Sequence, residues 1–501
     1  MKKIFAIMAA FALLVCVFSG CKKEPAPVVP SEPAGEETFE ETGDYFARDG
    51  VSEYRILLAQ APEPAERTAA YTLQKLFGEI TGVTLDVVTD AGRVRTTDHY
   101  ISIGENKLSD AAGPAHDNLN TDGFRIKLVD NTLFIVGEHE RGTLYGVYEF
   151  LERETGAVFL NNKYDYLPEK TTVPVRRLDI TEIPDFRVRT HYYQPTSYDA
   201  DLNAKLRFHS YYNYFNGESI GGGFSDTWNA GVHSMGTLVP QSSYYAAHND
   251  WFSSGGTYWQ PCFSSGLNND GTIDDSDSLI REVIRIVKES ILDNENLRWI
   301  MLGQNDGGAE CTCDRCTAQL AAIGGKRSGQ IVMFVNAVAR EVKEWMAQEG
   351  IDREINFVTL SYTWSILAPV HTNEAGEIVA DCPQVVPRDD VYIMFAPLDA
   401  CYNHALNDPD CAVNSDKSLN TMEDWRKICD NFIIFDYNIN FGEFLSWYPN
   451  LSVIRENLEY YREIGVTGII AEGALCAQNF YQQDLESWLF GKLMWDVDQN
   501  V

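Results

Sequence analysis

A strand–loop–helix rhythm repeats from Phe186 onward and constrains the fold more than any other feature of this sequence. Eight short apolar segments favour β-strands, and amphipathic helices such as "SLIREVIRIVKESIL" stand between them. The candidate strands are "RVRTHYY", "KLRFHSYY", "TYWQPCF", "RWIMLGQ", "NFVTLSY", "VYIMFAP", "FIIFDYN" and "TGIIAEG". Eight strands that alternate with helices over roughly 300 residues are what a (β/α)8 barrel requires. We therefore expect a TIM-like (β/α)8 barrel over residues 171–501.

A smaller α/β domain is predicted before the barrel, over residues 51–170. "YRILLA" and "HYISIG" favour strands, and "GFRIKLVDNTLFIVG" favours a hairpin that turns at Asp130 and Asn131. "PAERTAAYTLQKLFGEITG" predicts a helix with a proline at its start and Gly82 at its end. Strands followed by helices pack in layers, so the predicted fold class is α/β: a small N-terminal α/β sandwich domain followed by the barrel.

The N-terminus predicts export. Lys2 and Lys3 precede an apolar run too short to span a membrane, and the run ends in Ser19, Gly20 and Cys21. The stretch resembles a bacterial lipobox, so we expect residues 1–21 to be a signal peptide with lipidation at Cys21. Residues 22–50, which are rich in Pro and Glu, would be a flexible tether to the outer face of the cell membrane. The alternative is an ordinary signal peptide with an accidental cysteine.

Polar side chains stand at the C-terminal ends of the predicted strands, where (β/α)8 barrels place their catalytic residues. They are Tyr192, Tyr193, Gln260, Cys262, Asn305, Asp306, Tyr362, Trp364, Asp399, Asp436, Tyr437 and Glu472. Carboxylates and aromatic rings recur, whereas no nucleophilic serine motif, phosphate loop or HExxH motif is present. The formal net charge of −33 repels phosphate backbones, so nucleic acid is not an expected partner.

Several separated motifs resemble known families. "DGFRIKLVDNTLFIVGEHERGTLYGVYEFLERETG" is similar to the accessory domain that precedes the barrel in β-hexosaminidases and α-glucuronidases. "GQNDGGAECTCDRC", "NFGEFLSWYPNL" and "GIIAEG…LESWLFGKLMWD" resemble the family called domain of unknown function 4838. The resemblance implies a glycoside-hydrolase barrel and a carbohydrate substrate. The chain departs from hexosaminidases, which carry two adjacent acids where it has Asn305 and Asp306.

Two carboxylates are the predicted catalytic pair. Glycoside cleavage needs a proton donor and a second carboxylate that attacks or activates water. We predict Asp306 as the general acid in a partly desolvated site and Glu472 as an ionised base or orienting group. Strand ends roughly across a barrel suit the wide separation of an inverting pair. The alternatives are a helix-capping role for Asp306 and a buried, backbone-bonded role for Glu472; Asp436 is a third candidate that could orient another group.

Substrate binding is assigned to residues near these acids. His233 and Asn305 could hydrogen-bond sugar hydroxyls, and Tyr362, Trp364, Tyr437 and Trp447 could stack on sugar rings or pack in the barrel. A uronic acid substrate would need a cation, for which Arg189, Lys205 and Arg207 are available. The rival function is a non-catalytic carbohydrate-binding lipoprotein on the same scaffold.

Four cysteines follow or adjoin the predicted strand-four end. Cys311, Cys313 and Cys316 could form a disulfide with Cys262, or the four could bind a structural zinc ion, or they could be free thiols. Cys401 and Cys411 are a second candidate disulfide pair. No cofactor is expected for the chemistry itself; a functional metal centre at the cysteines is a third alternative for function.

Overall fold

The computed structural model describes residues 39–501 except 121, 139–140, 210–213, 216–217, 220–226, 254–259, 275, 308–309, 445 and 476–479, with only the backbone described at 214–215, 218–219 and 481. The predicted signal peptide, Cys21 and most of the predicted tether lie outside the described residues. Among the described helices, none combines the length and the apolar character needed to cross a bilayer.

The N-terminal domain is built on a six-stranded mixed sheet with the order β10-β5-β6-β4-β2-β3. The predicted hairpin is confirmed, since β5 and β6 pair from Phe124–Gly137 to Val129–Thr132 and turn at Asp130 and Asn131. The strands of this domain are β1 (Glu41–Arg48), β2 (Arg55–Leu58), β3 (Val87–Thr89), β4 (Tyr100–Ile103), β5 (Phe124–Val129), β6 (Thr132–Gly137), β7 (Val158–Phe159), β8 (Asp165–Tyr166), β9 (Thr172–Arg176) and β10 (Asp179–Glu182).

Helices cover both faces of this sheet. α1 (Pro64–Thr81) and α3 (Gly142–Thr155) share a buried apolar core with alternate sheet residues such as Ile101 and Ile135. The short α2 (Lys107–Ala112) contributes Leu108 to a smaller cluster that includes Phe134 on the opposite face. α1 ends at Gly82, whose φ of +73° is a left-handed conformation that glycine adopts without steric cost. The predicted helix and its end are therefore confirmed.

The boundaries of this domain differ from the sequence prediction. β1 lies within the predicted tether, and it pairs antiparallel with β9. β9 and β10 fall in the range predicted for the barrel, yet β10 pairs with β5 in the N-terminal sheet. In "ETGDYFAR", Phe46 and Ala47 are fully buried in the core of the N-terminal domain, and backbone pairing with β9 adds to this packing. The strands packed in this domain therefore extend beyond the predicted range 51–170 at both ends, into the ranges 22–50 and 171–501.

The second domain contains a six-stranded parallel sheet with the order β11-β20-β19-β18-β15-β14. This order places the predicted first strand beside the eighth, followed by the seventh, sixth, fifth and fourth, as a (β/α)8 barrel requires. Its strands are β11 (Val188–Tyr192), β14 (Trp299–Met301), β15 (Asn356–Ser361), β18 (Val391–Phe395), β19 (Phe432–Tyr437) and β20 (Gly468–Glu472). Short strands outside this sheet are β12 (Tyr214–Phe215), β13 (Glu218–Ser219), β16 (Val370–Thr372) and β17 (Ile378–Ala380).

The predicted second and third strands are not formed in the described residues. Lys205 and Leu206 belong to a helix, and Phe208 and His209 lie beside β11 with one backbone hydrogen bond, from His209 N to the Arg189 carbonyl. Gln260–Phe263 forms a bridge and a turn, and the position next to β14 is occupied by Trp228, which makes a parallel bridge to Trp299. The α/β barrel fold class is confirmed, with two of its strand positions reduced to these short contacts.

Helices surround the sheet, and side chains alternate between two cores. Inward-facing residues such as Met301, Met394 and Ile470 fill the barrel, while Ile300, Ile393 and Ile469 face the helices. The helices are α4 (Gln194–Tyr198), α5 (Ala200–Leu206), α6 (Met235–Leu238), α7 (Gln241–Tyr244), α8 (Leu279–Asp293), α9 (Asp314–Ala322), α10 (Arg327–Glu349), α11 (Asn420–Trp425), α12 (Ile454–Glu463) and α13 (Tyr481–Trp495). One-turn 3-10 helices at Asn249–Trp251, Thr363–Ser365 and Pro383–Val385 and a π-helix at Asn414–Leu419 complete the set.

Buried ion pairs join the two domains within one compact unit, Phe39–Gln499. Arg189 contacts Asp122 at 2.6 Å, and Arg207 contacts Glu149 at 2.6 Å and Glu152 at 3.2 Å. Lys205 lies 2.7 Å from Asp165 and 2.8 Å from Asp201. We call these contacts the interdomain charge cluster. The suggestion that Arg189, Lys205 or Arg207 receives a uronic acid is therefore wrong, because all three neutralise protein carboxylates away from the strand ends.

Candidate active site

Glu472 is the last residue of β20 and faces the inside of the barrel mouth. The parallel register places it between Tyr192 on β11 and Tyr437 on β19. Both tyrosines belong to the inward-facing core, as does Ile470 two residues earlier on the same strand. Because side chains on a strand alternate with period two, Glu472 shares that inward direction.

Burial against these aromatic walls perturbs the Glu472 carboxyl. Desolvation raises the pKa of Glu472 to about 8. Among the described residues, no side chain makes a hydrogen bond or an ion pair with this carboxyl that would offset the desolvation. A carboxyl in such surroundings keeps its proton near neutral pH, which is the state that a general acid requires.

Asp306 lies in the loop after β14, and its side chain is 70% exposed. The Tyr362 hydroxyl donates a hydrogen bond to Asp306 Oδ1 at 3.4 Å, and His233 Nε2 lies 3.9 Å from the same oxygen. His233 Nδ1 lies 2.8 Å from the carbonyl oxygen of Gln304. Since a carbonyl only accepts, Nδ1 carries a proton and Nε2 faces the carboxylate. These contacts place the exposed Asp306 carboxyl between the Tyr362 hydroxyl and the imidazole ring of His233.

Two tyrosines connect the carboxyls. Tyr437 donates a hydrogen bond to Tyr362, which in turn donates to Asp306. Desolvation raises the pKa of Tyr362 and of Tyr437, and the charges of both Asp306 and Glu472 raise each pKa further. The two carboxyls thus act on the same pair of phenols, and the predicted residues Asp306, His233, Tyr362, Tyr437 and Glu472 meet at one site.

The surroundings of the two acids are the reverse of the sequence expectation. We predicted a desolvated Asp306 and an ionised Glu472, whereas the exposed group is Asp306 and the desolvated group is Glu472. Strand-end position indicates that a carboxylate reaches the mouth, but it does not reveal how many neighbouring side chains exclude water from it. That information depends on the tyrosines of adjacent strands.

Asp436 does not join this site. It is one residue before the inward-facing Tyr437, so it faces the layer between the sheet and the helices. Desolvation raises its pKa to about 7. Its charge acts on Tyr402, Tyr448 and Glu486. The prediction of Asp436 as a direct catalytic group is therefore not supported by its placement.

Glu486 is a buried acid that the sequence analysis missed. It lies on α13, and its carboxylate accepts hydrogen bonds from Gln482, at 2.9 Å, and from Gln483. Desolvation raises its pKa to about 8, and the charge of Asp436 raises it further. Glutamine–glutamine–x–x–Glu on a helix otherwise rich in apolar residues is a signal that could have revealed it. Asp436 and Glu486 form a second pair of acids behind the strand that carries Tyr437.

Asn305 and Trp364, which the sequence analysis assigned to substrate binding, both make contacts within the barrel domain. The Asn305 backbone is bracketed by the Gln260 side chain, whose Oε1 accepts from Asn305 N at 3.1 Å and whose Nε2 donates to the Asn305 carbonyl at 2.7 Å. Trp364 lies in the 3-10 turn after Tyr362 and packs against the outer core. Stacking on a sugar is therefore not supported for Trp364.

Aromatic side chains extend from the mouth over the loop after β19. The Tyr437 ring lies 6.3 Å from that of Phe441, which in turn lies 6.0 Å from that of Phe444. Phe441, Phe444 and the predicted Trp447 are all exposed, Trp447 by 55%. Exposed aromatic rings in series beside a carboxylate site suit stacking on a carbohydrate chain. Phe441 and Phe444 were missed because their loop has no periodic pattern.

Four cysteines converge beside the Asp306 loop. Cys262 Sγ lies 3.8 Å from Cys313 Sγ and 3.6 Å from Cys316 Sγ, and these three and Cys311 have their sulfur atoms within 4.8 Å of one another. All are free cysteines. We call them the tetrathiol cluster. Cys401, His404 and Cys411 form a second, more exposed group within the same limit, and Cys401 and Cys411 are also free.

A cavity of about 880 Å³ lies away from the carboxyls, between α1 and the segment Gln194–Lys205. Its lining includes Arg67, Tyr148 and Asp165, but none of the residues predicted for catalysis or substrate binding. The convergence of titratable groups at Glu472 and Asp306 therefore locates the candidate active site better than this cavity does.

Comparisons with known proteins extend these observations. The sequence model of the family described as Domain of unknown function (DUF4838) matches residues 159–501, and that of the Glycosyl hydrolase family 67 N-terminus matches residues 50–150. A search of curated protein sequences finds no match. The family 67 match lies within the N-terminal domain, and the DUF4838 match covers the barrel together with β8, β9 and β10.

Similar solved structures are glycoside hydrolases. One is a family 115 4-O-methyl-α-glucuronidase with specificity for decorated arabinogalactans, at 13% identity and a TM-score of 0.49. Another is a family 138 enzyme that targets pectin rhamnogalacturonan II, at 10% identity and a TM-score of 0.45. Each alignment covers 89% of this chain, which spans 57% and 64% of those two proteins. The β-N-acetylhexosaminidase from Bacteroides fragilis aligns with 10% identity and a TM-score of 0.44, over 91% of this chain and 88% of its own.

Proposed function

The chain belongs to the family called Domain of unknown function (DUF4838), and we propose that it hydrolyses a glycosidic bond in a polysaccharide or glycoconjugate. Glu472 donates the proton to the leaving oxygen, and Asp306 is the ionised partner that attacks the sugar or activates water. The observation that carries the proposal is the shared pair of tyrosines, on which both carboxyls act.

Electrostatics support this division of roles. A carboxyl with a pKa of about 8 is mostly protonated at neutral pH, so Glu472 has a proton to give. Asp306 is exposed and accepts a hydrogen bond from the Tyr362 hydroxyl. Two acids in contrasting environments, one desolvated and one exposed to solvent, are what acid–base hydrolysis requires.

The expected substrate is a neutral or basic glycan. Arg189, Lys205 and Arg207 are paired within the interdomain charge cluster. Among the described contacts, no arginine or lysine binds Asp306 or Glu472, so a uronide would find no matching cation there. The exposed aromatic rings that follow Tyr437 would bind further sugar units by stacking.

Export completes the proposal. We infer a membrane-anchored lipoprotein with its lipid on Cys21, because the N-terminal residues carry a lipobox-like sequence. The match of residues 50–150 to a glycosyl hydrolase N-terminus is consistent with a carbohydrate substrate.

The test is a screen of the full chain against a panel of neutral, N-acetylated and uronic aryl glycosides, followed by variants on the best substrate. Glu472→Gln and Asp306→Asn remove the titrating groups and keep the side-chain volume. Each should lower kcat/KM by at least about 100-fold. Asp399→Asn, which alters another exposed acid after a barrel strand, is the matched control and should retain activity.

Two results would contradict the proposal. One is a substrate whose hydrolysis survives both the Glu472 and the Asp306 replacement. The other is glycan binding by a chain that cleaves no member of the panel, which would favour the carbohydrate-binding role.

A further inference from the structure

The tetrathiol cluster has the spacing of a metal site. In a tetrahedral zinc centre with Zn–S bonds of about 2.3 Å, neighbouring sulfur atoms are about 3.8 Å apart. The two separations from Cys262 Sγ, 3.6 and 3.8 Å, match that edge length. A disulfide would hold two sulfur atoms at about 2.05 Å and leave the other pair unsatisfied. The four sulfur atoms instead all lie within 4.8 Å of one another.

Burial encloses the tetrathiol cluster. Cys262, Cys311 and Cys316 are buried, and Cys313 is half-buried at their edge. The cluster is thus closed to solvent on most sides, with four protein ligands, as in structural rather than catalytic zinc sites.

The surroundings stabilise thiolate charge. Cys313 is the N-cap of α9, and its sulfur accepts a hydrogen bond from Cys316 N at 3.4 Å. Ser264 Oγ lies 3.0 Å from Cys316 Sγ. Arg327 donates to the Cys311 carbonyl at 2.8 Å, which brings a positive charge to the cluster. Amide and hydroxyl donors and a nearby cation are the groups that lower the cost of thiolates.

We propose that Cys262, Cys311, Cys313 and Cys316 bind one structural Zn²⁺ ion. Binding releases the four thiol protons and leaves a centre of net charge −2. No oxidation or reduction takes part. This site is independent of the proposed hydrolysis, since none of its ligands contacts Asp306 or Glu472 in the described contacts.

The ion would fix the loop that carries Asp306. Gln260, two residues before Cys262, binds the backbone of Asn305 and of Gly307. Cys311 follows five residues after Asp306. A metal bound by Cys262, Cys311, Cys313 and Cys316 would therefore hold the Asp306 loop on two sides. One side is the segment of Gln260 and Cys262, and the other is the chain that follows Asp306.

The experiment measures metal content in the purified full chain. We expect one equivalent of zinc by elemental analysis, and no disulfide among the four cysteines by mass spectrometry of the unreduced protein. Replacement of Zn²⁺ by Co²⁺ should produce the visible bands of tetrahedral cobalt and strong thiolate-to-cobalt charge transfer. Cys313→Ser alters the half-buried ligand and should reduce zinc content at least about tenfold.

Cys411→Ser is the matched control, since it removes a cysteine of the other group and should retain the zinc and the cobalt spectrum. If Cys313→Ser does not fold, loss of the cobalt spectrum on addition of a chelator to the wild-type chain, together with a lower Tm, provides the same evidence. A disulfide that links Cys262 to Cys311, Cys313 or Cys316 would overturn the proposal. So would an octahedral cobalt spectrum, iron in place of zinc, or equal zinc loss in the Cys411 variant.

Discussion

Replacing Glu472 by glutamine should make the protein more stable as well as inactive. The carboxyl has a pKa of about 8 in the folded chain and of about 4.5 when hydrated. Between those values the native state binds a proton that the unfolded state has released, so the free energy of unfolding falls as pH rises. Below about pH 4.5 the penalty is absent, and above about pH 8 it is complete.

The magnitude follows from the pKa shift. Each pH unit between the two values costs about 1.4 kcal/mol, which gives about 3 kcal/mol at pH 7. Glu472 is partly exposed, so solvent screening reduces this to about 2 kcal/mol. A neutral glutamine has no charge to desolvate, so the variant lacks this destabilisation. For a unit the size of Phe39–Gln499, the unfolding entropy is about 1 kcal/mol per degree, so Tm should rise by about 2 °C at pH 7.

The assay is thermal unfolding of the wild type and of Glu472→Gln near pH 5 and near pH 8. The gain in Tm should be small near pH 5 and larger near pH 8. An equal effect at both pH values, or a loss of stability near pH 8, would refute the argument, because it would mean that Glu472 is ionised and stabilised in the folded chain.

Four further predictions test other parts of the structure. The value of kcat/KM should fall as pH rises through about 8, because Glu472 loses the proton that it donates; a pH–rate profile checks this. Tyr362→Phe removes the hydroxyl that binds Asp306 and should lower kcat roughly tenfold, with circular dichroism unchanged. Trp447→Ala should raise KM about fivefold for an oligosaccharide but not for an aryl monosaccharide, since stacking of one ring contributes about 1 kcal/mol. Arg207→Met should reduce the free energy of unfolding in urea by about 3 kcal/mol, because three acids lose a buried cation and keep only Arg153 or Lys492; a loss below about 1 kcal/mol would contradict this.

The sequence predicted the elements whose local signals agree with their tertiary environment. The hairpin at Asp130 and the helix that ends at Gly82 have turn and cap residues that leave few alternatives. The six strands of the parallel sheet are apolar runs with helices between most of them, so their pattern and their burial agree. The approximate barrel and the strand-end position of Glu472 could be deduced from these signals.

The failures have physical reasons. In "KLRFHSYY" the first two residues continue α5, whose N-cap Asp199 accepts hydrogen bonds from the amides of residues 201 and 202. In "TYWQPCF" the apolar Phe263 is satisfied by packing in the outer core, without strand pairing. The direction that Asp436 faces depends on the register of β19. None of these outcomes can be deduced from the few residues that surround each segment in the sequence.

The sequence indicated which residues form the candidate site, but not which of the two carboxyls is desolvated. Strand ends indicated Asp306 and Glu472, yet the desolvation of Glu472 comes from Tyr192 and Tyr437 on neighbouring strands. Likewise, cysteine spacing left disulfide, metal and free thiol as alternatives, whereas the placement of Cys262 against the other three depends on a loop–loop contact. Long-range contacts of this kind are decided by the whole fold.

The last helix of the chain completes the neutralisation of acids in the N-terminal domain. On α13, Lys492 contacts Glu152 at 2.6 Å, and the Trp495 indole donates to Glu182 at 2.7 Å. These contacts join positions that lie 340 and 313 residues apart along the chain. A chain that stops short of α13 would leave Glu152 and Glu182 without them, so loss of the last helix should loosen the N-terminal domain as well as the barrel.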